Sequence, residues 1–179
     1  RLESDLRQSA EQEADARYGE KVVDAVVAAA SVEFPPVLVE RETEQLLRDR
    51  VSASGAGDVE RYLRQARKSE EELRQELRLQ AVDRIQRSLV LGKVAELEGI
   101  SVGEEDVDAE IERLAASSGP RGDEVRKVFG TGGGREALER SLLTRRTVER
   151  LVAIASGQEV PPPGEAEEEV GKSEVVSKE

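Results

Sequence analysis

The 179-residue chain has no cysteine, histidine, methionine or tryptophan, and only four aromatic rings: Tyr18, Phe34, Tyr62 and Phe129. Each absence removes a class of chemistry. Without Cys there is no thiolate nucleophile. Without His there is no imidazole base, no Ser-His-Asp triad and no usual haem ligand, and without both there is no ordinary zinc site. These absences argue against a conventional hydrolase or metalloenzyme. Long hydrophobic runs are also missing: the most apolar stretch, residues 22–30, is nine residues and contains Asp24, against the ~20 needed to span a bilayer. No secretory signal is visible. Because Arg1 is not a Met, the chain reads as a piece of a longer protein.

What is present is charge and aliphatic surface. Lys and Arg number 27 against 39 Asp and Glu, a formal net charge of −12, with bases and acids interspersed. A phosphate backbone needs clustered Lys and Arg, so the balance argues against a nucleic-acid partner. Leu, Val, Ile and Phe make up 45 of the 179 residues, about 25%, above the ~20% below which a highly charged chain stays unfolded. With so few large rings, the core must be thin and aliphatic, which favours helix packed on helix.

The periodicity is helical throughout and nothing alternates with period two, so the fold class is all-α. Leu2, Leu6, Ala10, Ala14, Tyr18, Val22, Val26 and Ala29 form a stripe over residues 2–30, with Gly19 its point of weakness. Phe34-Pro35-Pro36 breaks that helix and opens a second, residues 36–53. Ser54-Gly55-Ala56-Gly57 is a flexible tip, and Asp58 caps a short helix carrying Val59, Tyr62 and Leu63. Ser69-Glu70-Glu71-Glu72 is a capping box that starts a long helix ending at Gly99. Ser101 or Gly103 caps the next, with Val107, Ile111 and Leu114 in phase until Ser117–Pro120. A short helix holds Val125, Val128 and Phe129. The Gly132-Gly133-Gly134 run is a hinge or loop before a last helix from about Glu136 to Ala155. Residues 1–155 thus form a helical domain. Residues 156–179, with three consecutive prolines and seven Glu against two Lys, read as a disordered tail.

Candidate chemistry is sparse. Gly130–Gly134 has neither the preceding strand nor the Gly-Lys-Ser/Thr of a phosphate loop, so no nucleotide or other cofactor is expected. Glu70-Glu71-Glu72 and Glu104-Glu105-Asp106 sit in first helical turns, where acids complement the dipole, rather than in a metal site. Arg145-Arg146, with Glu149 at helical spacing, reads as a solvated face. Three helices of twenty to thirty residues cannot all bury their stripes, however. Apolar surface rimmed by charge would hold an unfolded chain, a second copy or a further domain.

The order of segments resembles the C-terminal domain of the bacterial chaperone trigger factor over about residues 1–155. The entry helix running into Phe34-Pro35-Pro36-Val37-Leu38-Val39-Glu40-Arg41-Glu42 is similar to the family's V-P-x-x-L-V-x-x-E turn. Ser69-Glu70-Glu71-Glu72-Leu73-Arg74-Gln75-Glu76-Leu77 is similar to its S-E-E-E-L-R-x-E-L. Leu89–Ile100, then Glu104–Val107 and Glu110–Ala115, continue the succession.

The resemblance implies an elongated helical body with two projecting arms and a cradle for nascent or unfolded polypeptides, in a cytoplasmic protein that works without ATP. It implies that ribosome docking and the peptidyl-prolyl isomerase activity belong to domains upstream of Arg1, so that this fragment is not itself an enzyme. Client contacts are expected from Val37, Leu38, Leu46, Leu47, Val51, Leu63, Phe129, Leu138 and Leu142. No membrane partner is expected, and a homodimer stays open. Rival readings are the helical domain of a periplasmic SurA-like foldase and a structural helical scaffold or dimeriser.

Overall fold

A computed structural model describes the backbone of residues 2–158 and the side chains of residues 7–158. Over that span the protein is all-α, with no strand among the described residues. The helices are α1 (Leu2–Ala29), α2 (Pro36–Ser54), α3 (Val59–Ala66), α4 (Glu70–Leu97), α5 (Glu104–Ser117), α6 (Gly122–Phe129) and α7 (Gly132–Ala155), with a 3-10 turn at Gly119–Arg121.

Helix ends follow the local signals in the sequence. Pro36 is the first residue of α2, where its missing N–H has no helical partner to lose. The Arg61 amide donates to Asp58 Oδ1 at 2.7 Å and caps α3. At the start of α4 the box is reciprocal: the Glu72 amide donates to Ser69 Oγ at 3.2 Å and the Ser69 amide to Glu72 Oε2 at 2.8 Å. The Ser69 amide, together with the Ser69 hydroxyl, which donates to the same Oε2 at 2.9 Å, holds the Glu72 carboxyl below its ordinary range. The chain turns out of α4 at Gly99, whose φ of 65° lets the Ile100 amide return to the Ala95 carbonyl at 2.8 Å. Ile100 itself is buried, the hydrophobic contact that such ends favour. At α5 the cap is Gly103, whose amide donates to Asp106 Oδ2 at 2.9 Å.

α1 runs unbroken through Gly19. This residue is buried, and a Cβ there would meet Val148 Cγ1 at 3.6 Å and Val152 Cγ2 at 3.7 Å, so α1 packs against α7 at this glycine. The Ser54–Gly57 tip is a built turn: Ala56 is buried and its amide donates to Ser54 Oγ at 3.2 Å. The Gly132–Gly134 run is the first turn of α7, not a connection before it. Of the segment read as a tail, Ser156 to Gln158 turn the chain out of α7, with the Gln158 amide donating to the Ala153 carbonyl at 3.0 Å. Residues 159–179 lie outside the described residues.

The chain gathers into two compact units, whose boundaries fall inside α1 and α4. One joins residues up to Ala25 to those from Leu91 onward; the other is Val26–Val90. In Val26–Val90, Arg50 donates to Gln80 at 3.0 Å and Arg84 pairs with Glu42 at 3.0 Å, the order expected of antiparallel neighbours α2 and α4. Leu47, Val51, Leu73 and Leu77 form the core, with Leu46, Val59, Tyr62 and Leu63 packed on it half-buried. In the other unit, Val107 and Ile111 of α5 meet Leu138 and Leu142 of α7, flanked by Val102, Leu114 and Phe129.

Candidate functional site

Seven of the nine residues expected to hold a client divide between the two cores, and Val37 and Leu38 lie at the start of α2, outside both. Leu46, Leu47, Val51 and Leu63 converge in Val26–Val90, and Phe129, Leu138 and Leu142 converge in the α5–α7 unit. Within each group accessibility differs. Leu47, Val51, Leu138 and Leu142 are buried and reach a ligand only if their helices part. Leu38, Leu46, Leu63 and Phe129 are half-buried, and Val37 is 48% exposed. Adjacent residues of α2 fall on different sides of this line because each step turns the helix by 100°. Leu47 points into the core while Leu46 stands at its edge.

The sequence reading omitted other exposed apolar side chains: Leu79 and Leu89 on α4 in Val26–Val90, and Leu97, Val128 and Ile154 in the other unit. Leu79 lies off the Leu73-Leu77-Ala81 stripe, and that departure was the available signal. Val26–Val90 also contains a cleft of ≈680 Å³ lined by Val39, Thr43 and Glu44 of α2 and Glu71, Arg74 and Arg78 of α4. Its floor is Val39 and Thr43, both buried. The Thr43 hydroxyl donates to the Val39 carbonyl at 2.7 Å, which leaves the floor without an unpaired polar atom. Carboxylates and guanidinium groups form the walls.

The α5–α7 unit is held by charge as well as by its core. Arg145 and Arg146 are not merely a solvated face. Arg146 binds Asp106 with both terminal nitrogens and donates to the Ser101 carbonyl at 2.8 Å. Arg145 reaches Glu110 at 3.2 Å, and retains a looser approach to Glu149 at 3.9 Å, the pair expected at helical spacing. Arg135 binds Asp108, and Arg150 binds Glu98 at 2.9 Å. Arg126 of α6 bridges Glu112 and Asp123. The carboxyl of Asp106 is lowered chiefly by Arg146, and that of Glu112 chiefly by Arg126. These contacts join residues up to 52 positions apart, a separation that periodicity does not reveal.

Glu110 is the buried member of this network. Its carboxylate accepts from Arg113 Nε at 2.8 Å and from Arg145, and these partners, Arg113 foremost, hold its pKa down to about 2. A depressed carboxyl stabilises the fold above its unfolded pKa of about 4.3 and loses that contribution as pH falls toward 2. At about 1.4 kcal/mol per unit the full shift would approach 3 kcal/mol. Both arginines are half in water, so screening reduces this to roughly 1–2 kcal/mol. Glu110→Gln is therefore expected to lower stability by roughly 1–2 kcal/mol at pH 7 and to match the parent near pH 2. Urea titrations followed by circular dichroism at both pH values check this; an equal deficit at both would refute the ion-pair account.

Comparison with known proteins gives this surface its context. The family model for the C-terminus of bacterial trigger factor matches residues 1–153. The chain belongs to the trigger factor C-terminal family. Trigger factor of Brevibacillus brevis is 36% identical over 151 residues, 83% of this chain and 35% of the relative. That of Thermomicrobium roseum is 37% identical over 170 residues, 87% of this chain and 32% of the relative. A solved structure of trigger factor domains from Thermotoga maritima aligns with a TM-score of 0.59 at 25% identity, covering 76% of this chain and 80% of that one. The chain thus spans about a third of the length of the curated relatives it matches. The matched region is the C-terminal module of trigger factor, which does not contain the isomerase domain. Among the described residues no helix is long and apolar enough to cross a membrane.

Proposed function

We propose that this trigger factor module is an ATP-independent holdase that binds nascent or unfolded polypeptide through apolar side chains left at the edge of its thin cores. The observation that carries this reading is the half-buried rim of Val26–Val90, where Leu46, Val59, Tyr62 and Leu63 lean on a core of four residues. Val37, Leu79 and Leu89 of the same unit stand in water. Apolar contact is non-directional, so such a rim holds many sequences weakly and releases them without a nucleotide cycle. Membership in the chaperone family supports the same reading.

Val37, Leu38, Leu46, Leu63 and Phe129 then make first contact. Leu47, Val51, Leu138 and Leu142 support them from beneath. Ribosome docking and prolyl isomerisation belong to other domains of the full-length cytoplasmic protein.

The test is light scattering from a chemically denatured, aggregation-prone protein diluted into stoichiometric amounts of the chain. The parent is expected to suppress aggregation. Val37→Ser with Leu79→Ser removes exposed apolar area at roughly 0.5 kcal/mol or less of stability and is expected to lose about half of the suppression. Adding Leu46→Ser should remove most of the rest. A folded parent chain that suppresses nothing would end the holdase reading. Leu47 is unsuitable for this purpose, because its replacement unfolds the unit that is being tested.

A further inference from the structure

We propose that the module holds polypeptides through oxidative damage, taking up clients unfolded by peroxide while its own contact surface and cores stay chemically unchanged. This rests on the holdase reading and adds to it a class of client. Hydrogen peroxide passes one oxygen atom to a methionine thioether or a cysteine thiol, giving the sulfoxide or the sulfenic acid, and is itself reduced to water. Adaptable binding surfaces commonly use methionine, and its sulfoxide turns them polar. The chain contains neither methionine nor cysteine.

The composition matters because of where the contacts lie. Val37, Leu79 and Leu89 are the exposed large apolar side chains of Val26–Val90, and Leu97, Val128 and Ile154 stand out in the other unit. All six are saturated hydrocarbon, which peroxide does not attack. Beneath them, both four-residue cores consist of Leu, Val and Ile alone. The groups that cap helices and join them are equally inert: the Asp58 carboxylate, the Ser69 hydroxyl and the pair of Arg146 with Asp106. Tyr18, 42% exposed, and Tyr62, half-buried on the core, are phenols, which resist peroxide alone. Neither the grip nor the fold therefore depends on an oxidisable atom.

Oxidation also produces the clients. A sulfoxide formed in a protein's interior leaves a polar group without a partner there, and the unfolded chain exposes the apolar segments that remain. A sulfenic acid on such a client condenses with an available thiol, forming a disulfide and releasing water. A holdase with a cysteine at its contact surface would be trapped in that mixed disulfide. This surface offers no thiol, so apolar contact alone governs capture and release.

The test incubates the 179-residue chain with hydrogen peroxide, removes the oxidant with catalase and measures light scattering from two clients, one chemically denatured and one unfolded by peroxide. Suppression by the parent is expected to be the same before and after treatment, for both clients, with no change in its mass. Val37→Met with Leu79→Met is expected to lose about half of its own untreated suppression once both thioethers are oxidised. Leu79→Cys should form an adduct with the peroxide-unfolded client on a non-reducing gel, dispersed by dithiothreitol. A parent that suppresses before treatment and fails after it, or that holds the chemically denatured client and not the oxidised one, would overturn the proposal. So would a methionine variant whose sulfoxides, seen by mass spectrometry, leave suppression intact, because clients would then be held elsewhere. A folded parent that suppresses nothing before treatment ends the holdase reading and this extension together.

Discussion

Leu77→Ala is expected to destabilise the protein by about 3–5 kcal/mol, while Leu79→Ala, two residues away on the same helix, changes stability by no more than about 0.5 kcal/mol. Leu77 is 0% exposed and Leu79 is 72% exposed. Truncating Leu77 removes the transfer energy of its buried carbons and leaves a cavity between α2 and α4. Leu47, Val51 and Leu73 are the buried residues left to close it, with Leu46, Val59, Tyr62 and Leu63 half-buried around them. A core of four has little capacity to relax around such a hole, so the cost belongs at the upper end of the usual range. Whole-domain stability is typically only about 5–15 kcal/mol. The loss should therefore melt Val26–Val90 first, and hydrogen exchange should show amides of α2 and α4 losing protection before those of α5 and α7. Similar urea midpoints for the two variants would contradict this assignment of the α4 face.

The same contrast shows how far the sequence could be read. Local rules reached the helix ends: Asp58, Ser69 with Glu72, Gly99 and Gly103 each do at the backbone what their side chains, or lack of one, dictate. The stripe Leu73, Leu77 and Ala81 is buried as periodicity requires. Membership in the trigger factor family was legible too, through the succession of segments instead of any one of them. The candidate site was less so. A stripe shows which face of a helix is apolar, but the depth of each residue depends on the neighbouring helix. Leu46 and Leu47 are neighbours in sequence, and the 100° step between them puts Leu47 in the core and Leu46 at its edge once packing fixes which face is covered. The arginines of α7 were misread because an acid four residues away is visible in sequence, whereas Asp106, forty positions from Arg146, is not.

The glycine run was misread for a related reason, and it leads to the second large effect. Gly134→Ala is expected to destabilise the protein by about 2–3 kcal/mol, and Gly133→Ala to stabilise it by about 0.5 kcal/mol. Alanine is the better helix former by roughly 1 kcal/mol, and both positions lie in the first turn of α7, so propensity alone gives both substitutions the same favourable sign. Space separates them. A Cβ on Gly133 would meet nothing within 4 Å, whereas one on Gly134 would collide with the Val128 carbonyl oxygen and lie 3.3 Å from Phe129 Cα. Those are backbone atoms at the end of α6, which no rotamer change can withdraw. Alanine at 134 must therefore push α6 from α7 and disturb Phe129, which packs on Val107, Ile111, Leu138 and Leu142. Thermal melts of the two single variants decide the matter. Opposite shifts would establish that the run is a close approach of two helices, and equal upward shifts would return it to the flexible connection that its composition suggests.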